Sequence, residues 1–311
     1  MKLEKTFERI SRRIFGSLVS ERLNDRLALN AKGTGRIADL FLKTSMGKAG
    51  LVIIMFFLVI VVLSATVFPY DPNSPPSDRL QGPSIHHLLG TDQVGRDLAL
   101  QIMAGTQASL TVGFTAMALA MGLGTLVGLA SGYWGGWRDE LMMRINDVFL
   151  SLPWLVLMIV IAAILRSNSL STVILVIGLT SWSATARIVR SQVLSIKTRQ
   201  FVERARAIGA GDWHIIKTHI FPNTVPIIFA NAILMVAIAI LSESTLSFLG
   251  LGPRTTTWGR TLEFAYQSSA ALSGPWTYII MPGLCIVFVV LGFTFVGYAM
   301  DDVLNPRLRQ R

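Results

Sequence analysis

The chain has 311 residues, 52% of them hydrophobic and only 15% charged, with a formal net charge of +10 and a mean hydropathy of +0.55. Soluble domains carry about 25% charged residues, so the composition argues against a soluble enzyme. It also argues against a nucleic-acid binder, because the basic residues sit beside apolar runs, where membrane topology and anionic lipid account for them.

In chain order, residues 1–48 come first, polar and basic. Phe7, Ile10, Ile14 and Leu18 recur there at helical spacing with Arg9, Arg12 and Arg13 between them, a pattern for a helix lying in the membrane interface; a disordered basic tail is the alternative. The first apolar run starts near Ala49, too deep in the chain for the core of a cleavable signal, and reads as a retained anchor. Charge-poor runs at 49–68, 105–133, 148–165, 170–189, 223–245 and 276–298 approach or reach the ~20 residues that span a bilayer core. Helices satisfy their own backbone in lipid, so the expected class is all-α integral membrane with six transmembrane helices. The third and fourth runs are separated only by Arg166, Ser167, Asn168 and Ser169 and should form a tight hairpin.

Lys and Arg fall unevenly on alternate sides of these runs, 23 against 5. The positive-inside rule puts the richer set in the cytoplasm. The expected organisation is a cytoplasmic N-terminal segment 1–48, a first span 49–68 and an extracytoplasmic loop 69–104. A five-helix core 105–300 with a cytoplasmic loop 187–222 follows, then a cytoplasmic tail 301–311, so both termini lie inside. Ala116, Ala120, Gly124, Gly128 and Gly132, each four residues apart, predict close approach of the second span to a neighbouring helix. Pro282 predicts a kink in the last span. Cys285, the one cysteine, lies inside an apolar run and reads as a small packing residue.

No G-x-x-x-x-G-K-[ST] occurs, so the chain carries no P-loop of its own, and no His or Cys cluster has metal-ligand spacing. The pair His86-His87 is more simply a solvated loop pair than a metal site. Glu243 is the main ionisable residue within a run. It is a functional candidate, but its place near the end of the span favours a headgroup-level or helix-contact role. A proton-driven carrier would carry several such groups across its midplane. Their absence implies that energy for any transport cycle enters from outside the chain.

Residues 203–222 are basic and amphipathic. Gly209 and Gly211 should break them into two short helices, with Asp212 a candidate N-cap for the second and Pro222 at the start of the next element. On composition alone this is an ordinary positive loop with an interfacial helix; the alternative is a helix with one face on the spans and one offered to a soluble partner. The stretch resembles the EAA loop of ABC-transporter permeases: Glu203 and Ala205 match its acid and second alanine, Arg204 replaces the first alanine, Gly209 matches its glycine, and Ile220-Phe221-Pro222 its end.

Other stretches resemble one branch, the C-type dipeptide/oligopeptide/nickel permeases. They are Leu89-Gly90-Thr91-Asp92-Gln93-Val94-Gly95-Arg96-Asp97, Ser247 to Gly252 with Trp258-Gly259, Asp301 to Arg309 with Asn305 for the usual Asp, and Phe41-Leu42-Lys43 leading into Gly50-Leu51. The resemblance implies a type-I ABC importer permease fold in the cell membrane and a non-catalytic subunit. Its partners would be a homologous second permease, two ATP-binding subunits that hold the ATP and Mg, and an extracytoplasmic binding protein. Glu203, Ala205, Ala207, Gly209, Asp212 and Pro222 would couple to the ATPase. Peptides are the expected cargo, with nickel complexes or oligosaccharides as alternatives. A secondary carrier or a membrane scaffold is the alternative of a different class.

For the first motif, a structural role competes with contact to the binding protein: Thr91 and Asp92 can cap a helix, Gly90 and Gly95 can turn the chain, and Arg96 and Asp97 can pair locally. Arg138, Asp139, Glu140 and Arg144 could touch the same ATPase or be solvated.

Overall fold

The computed structural model describes residues 40–72, 77–268 and 274–304. The N-terminal pattern of Phe7 to Leu18 and most of the tail motif lie outside these residues. The helices are α1 (Ser45–Thr66), α2 (Leu98–Trp134), α3 (Gly136–Ser151), α4 (Trp154–Leu165), α5 (Leu170–Lys197), α6 (Gln200–Ala207), α7 (Asp212–Phe248), α8 (Trp258–Gln267) and α9 (Thr277–Leu304). Among the described residues there is no strand, only an isolated antiparallel bridge between Thr91 and Asp97.

Helices α1, α2, α5, α7 and α9 are long and apolar enough to cross a bilayer; the bent pair α3–α4 makes up to six. That pair corrects the expected third span at 148–165. The chain turns by 91° between α3 and α4, and extended Leu152 followed by Pro153 at the N-cap of α4 marks the turn. Twelve residues remain in α4, a rise of ~18 Å against a hydrocarbon core of ~30 Å. Composition hides the break because apolar residues continue through it.

Most of the other boundaries move outward. Asp97 caps α2 by accepting from the Leu100 N–H, so this helix begins seven residues before the expected 105. Lys197 ends α5 and Asp212 starts α7. Only residues 198–211 of the expected 187–222 loop therefore lie outside the two long helices. A π-helical turn at Ile216–Ile220 is absorbed within α7, with Pro222 just beyond it. Helix α9 runs through Pro282.

The small-residue stripe does what its spacing implies. Ala116, Ala120, Gly124, Gly128 and Gly132 are all buried, three of them directly against α5. A Cβ at Gly128 would lie 2.6 Å from the Ala186 carbonyl oxygen, and one at Gly132 2.8 Å from the Val193 Cβ. Lipid is as apolar as leucine, so this contact is held by packing rather than by transfer out of water.

A second core joins α1, α2, α7, α8 and α9 through Phe57, Ile102, Ile240, Trp258, Val289 and Phe293. Trp258 is fully buried; its ring meets Phe57 edge-on at 5.5 Å, and its indole N–H donates to the Ile102 carbonyl at 3.1 Å. The bundle has two distinct ends: one carries α3 and α6, the other the 77–97 segment, the α4–α5 hairpin and α8.

Candidate docking site and the opposite end

The α6 end is built on Tyr133, Val189, Val193, Ile196, Ile215 and Ile220, a buried cluster from α2, α5 and α7. Helix α6 seats Val202 and Ala205 in that cluster. It ends in a Schellman motif: the Ala210 N–H donates to the Ala205 carbonyl and the Gly209 N–H to the Arg206 carbonyl, each at 3.0 Å. Gly209 has φ +84°, a conformation that costs an L-residue about 1–2 kcal/mol, and open space lies where a Cβ would point.

Asp212 corrects one expectation. Gly211, not Asp212, is the N-cap; Asp212 is the first helical residue, favourably placed for the helix dipole, and accepts from the Tyr133 hydroxyl at 2.6 Å. That bond ties the last turn of α2 to the first of α7. Lys197 Nζ, donating to the Tyr133 carbonyl at 2.5 Å, adds the end of α5. Sequence reasoning had no signal for either, since the partners are 79 and 64 positions apart.

Of the coupling residues expected from the resemblance, Glu203, Ala207, Gly209, Asp212 and Pro222 are exposed, whereas Ala205 is turned into the bundle. Beside them stand two bare apolar side chains, Ile208 at 86% and Trp213 at 76% exposure. Two helical pieces fixed from below thus present a mixed polar and apolar ridge. On α3 the four charged residues singled out in the sequence separate in role, beside Asp147, which pairs with Arg187 of α5. Asp139 accepts a two-pronged bond from Arg190 of α5, at 2.6 and 2.7 Å. Glu140 and Arg144 meet only loosely on the exposed face, and Arg138 lies over the Trp137 ring.

At the opposite end the Gly90–Asp97 motif is wired internally. The Thr91 hydroxyl donates to the Asp78 carbonyl and accepts from the Gln81 N–H. Asp92 is buried; it accepts from the Val94 and Arg96 N–H groups at 2.8 Å each and from the Gln101 amide at 2.7 Å. Capping falls to Asp97 rather than to Thr91 or Asp92, and its second oxygen is 2.8 Å from Nδ1 of His87, so the expected Arg96–Asp97 pair gives way to His87–Asp97. Gly90 and Gly95 turn the chain at φ +89° and +96°. The hydroxyl groups of Thr277 and Tyr278 donate to the Leu89 carbonyl and the Gln93 amide oxygen, which docks the motif on α9.

Glu243 is fully buried at the same end of α7. Its carboxylate accepts from Ser109 of α2 at 3.1 Å, Ser244 at 3.4 Å and Ser247 at 2.6 Å. These partners on α2 and α7 are what the helix-contact reading expects.

A bundle of long helices with no strand among the described residues is a fold shared with a solved structure. A chain of the MetNI methionine ABC transporter in inward-facing conformations superposes with a TM-score of 0.53 at 19% identity, covering 67% of this chain and 95% of that one. Residues 124–310 match the family model of binding-protein-dependent transport system inner membrane components, and the chain belongs to that family. It is 38% identical to the dipeptide transport system permease protein DppC of Alkalihalophilus pseudofirmus, over 86% of this chain and 88% of that one. It is 36% identical to the glutathione transport system permease protein GsiD of Pectobacterium atrosepticum, over 86% and 89%.

Proposed function

We propose that this chain is the permease subunit of an ATP-driven importer of short peptides in the cytoplasmic membrane, and that it contributes half of the translocation path. The α6 end faces the cytoplasm, a reading supported by the bias of Lys and Arg, and both termini lie there. Two ATP-binding subunits supply ATP and Mg, a homologous permease completes the path, and an extracytoplasmic binding protein delivers the cargo. The chain itself performs no catalysis. The names of the relatives, a dipeptide and a glutathione permease, favour peptides over nickel complexes or oligosaccharides.

One observation carries the coupling role. The ridge of Glu203, Ala207, Ile208, Gly209 and Trp213 is exposed while the helices beneath it are anchored by Val202, Ala205 and the Tyr133–Asp212 bond. A load applied there passes directly into α7. A cavity of about 630 Å³ between the α3–α4 turn, α5 and α7, lined by Ser151, Pro153, Thr180, Ser183 and Leu241, suits a wall of the path. In Gly209→Trp, the bulky ring and the lost αL turn should leave the chain in the membrane and ATP hydrolysis running, with peptide uptake falling at least tenfold. Normal uptake in that variant would remove the ridge from the mechanism.

A further inference from the structure

At the end opposite α6, three arginines from separate segments converge on one cavity of about 520 Å³: Arg96 beside the start of α2, Arg254 in the α7–α8 loop, and Arg260 in α8. Their only acidic companion in the lining is Asp92, whose oxygens are already occupied by two backbone N–H groups and the Gln101 amide. Among the described residues none of the three guanidinium groups forms an ion pair. Arg260 spends one nitrogen on the Pro253 carbonyl at 2.7 Å and lies 5.0 Å above the Phe264 ring, leaving its other donors to the cavity. Arg254 stands exposed at the rim, while Arg96 and Arg260 are half-buried. Tyr70 completes the wall; burial raises its phenol above the usual range, while Arg96, which also hydrogen-bonds it, pulls the other way.

Three unpaired cations in a recess repel one another and call for an anion, and guanidinium binds carboxylate in two-pronged geometry. The volume falls in the range of small-ligand pockets, about 300–1,000 Å³, and the aromatic walls suit a side chain. An adjoining chamber of about 110 Å³ shares Arg260 and Phe264 and carries the opposite sign in Glu263. We infer that this cavity is a receiving site for the free carboxylate end of a short zwitterionic peptide, with Glu263 on the side of its ammonium group. The inference rests on the peptide-importer reading and adds a site on the permease itself to it.

The test uses the assembled membrane complex in nanodiscs, with the dipeptide Ala-Phe and its C-terminal amide as probes and binding read by isothermal titration. Arg254→Gln with Arg260→Gln should weaken binding of the free acid at least tenfold, and the amide should bind the unaltered complex as weakly as the acid binds the variant. Docking of peptide-free binding protein should stay the same. Arg254→Gln alone, at an exposed rim position, should weaken the acid about threefold and keeps the test open if the double variant fails to fold. Equal affinity for acid and amide, or no measurable dipeptide binding, would overturn the site. Loss of protein docking with peptide affinity retained would also overturn it, and would assign the arginines to an acidic side chain of the docked protein. ATP-dependent uptake by the unaltered complex is scored separately, so a failure of the importer reading is told apart from a failure of this site.

Discussion

Glu243 shows how a costly group is made tolerable. A carboxylate at full burial near a membrane end needs donors, and three serines from two helices provide them. Replacing it with Gln keeps an acceptor for those hydroxyls, so the variant should fold with a small loss. Replacing it with Leu leaves three buried hydroxyls without their acceptor and should cost about 3 kcal/mol or more, read as a drop in the melting temperature of the purified complex. If Leu is tolerated as well as Gln, the hydroxyl network is not what holds that contact. Tyr133 and Asp212 are the counterpart at the other end. Tyr133→Phe removes a charge-assisted bond of about 1–2 kcal/mol, and the expected result is faster hydrogen exchange at the first turn of α7. Neither network was legible from sequence: Glu243 stood out as an acid in an apolar run, but its partner Ser109 lies 134 positions away.

At the scale of elements, the most legible feature was the most local one. Five small residues at intervals of four declare a close helix contact, and α5 occupies it. Gly128→Leu forces side-chain atoms into the Ala186 carbonyl and the Val189 side chain and should abolish recovery of folded protein from membranes; undiminished yield would mean α2 and α5 can separate without cost. The stop and start residues were harder to read. Asp97 caps α2 and Gly211 precedes α7, yet each sits where an apolar-run reading still sees loop. The Pro153 bend escaped for the reverse reason: apolar side chains continue on both sides, and hydropathy carries no record of direction. The Gly209 turn was readable because only a residue free to adopt positive φ ends a helix in that way.

For the whole molecule, the apolar runs led to the right class, a helical membrane protein with five helices, or up to six, long and apolar enough to span. The gathering of Arg96, Arg254 and Arg260 was beyond sequence, since only the folded loops bring the three segments together. Sidedness is open to direct measurement. Ile208 and Ile85, at 86% and 95% exposure, are each replaced by Cys in a Cys285→Ala background. A membrane-impermeant maleimide applied to intact cells should label position 85 and spare position 208; the reverse pattern would turn the molecule over and with it the proposed mechanism. Helix α7 joins the two faces. Its 37 residues make a rod of ~55 Å, with Trp213 at one tip and Glu243 near the other. A rod that long, gripped in the middle by its neighbours, behaves as a seesaw: nudging one tip sideways swings the far tip the opposite way.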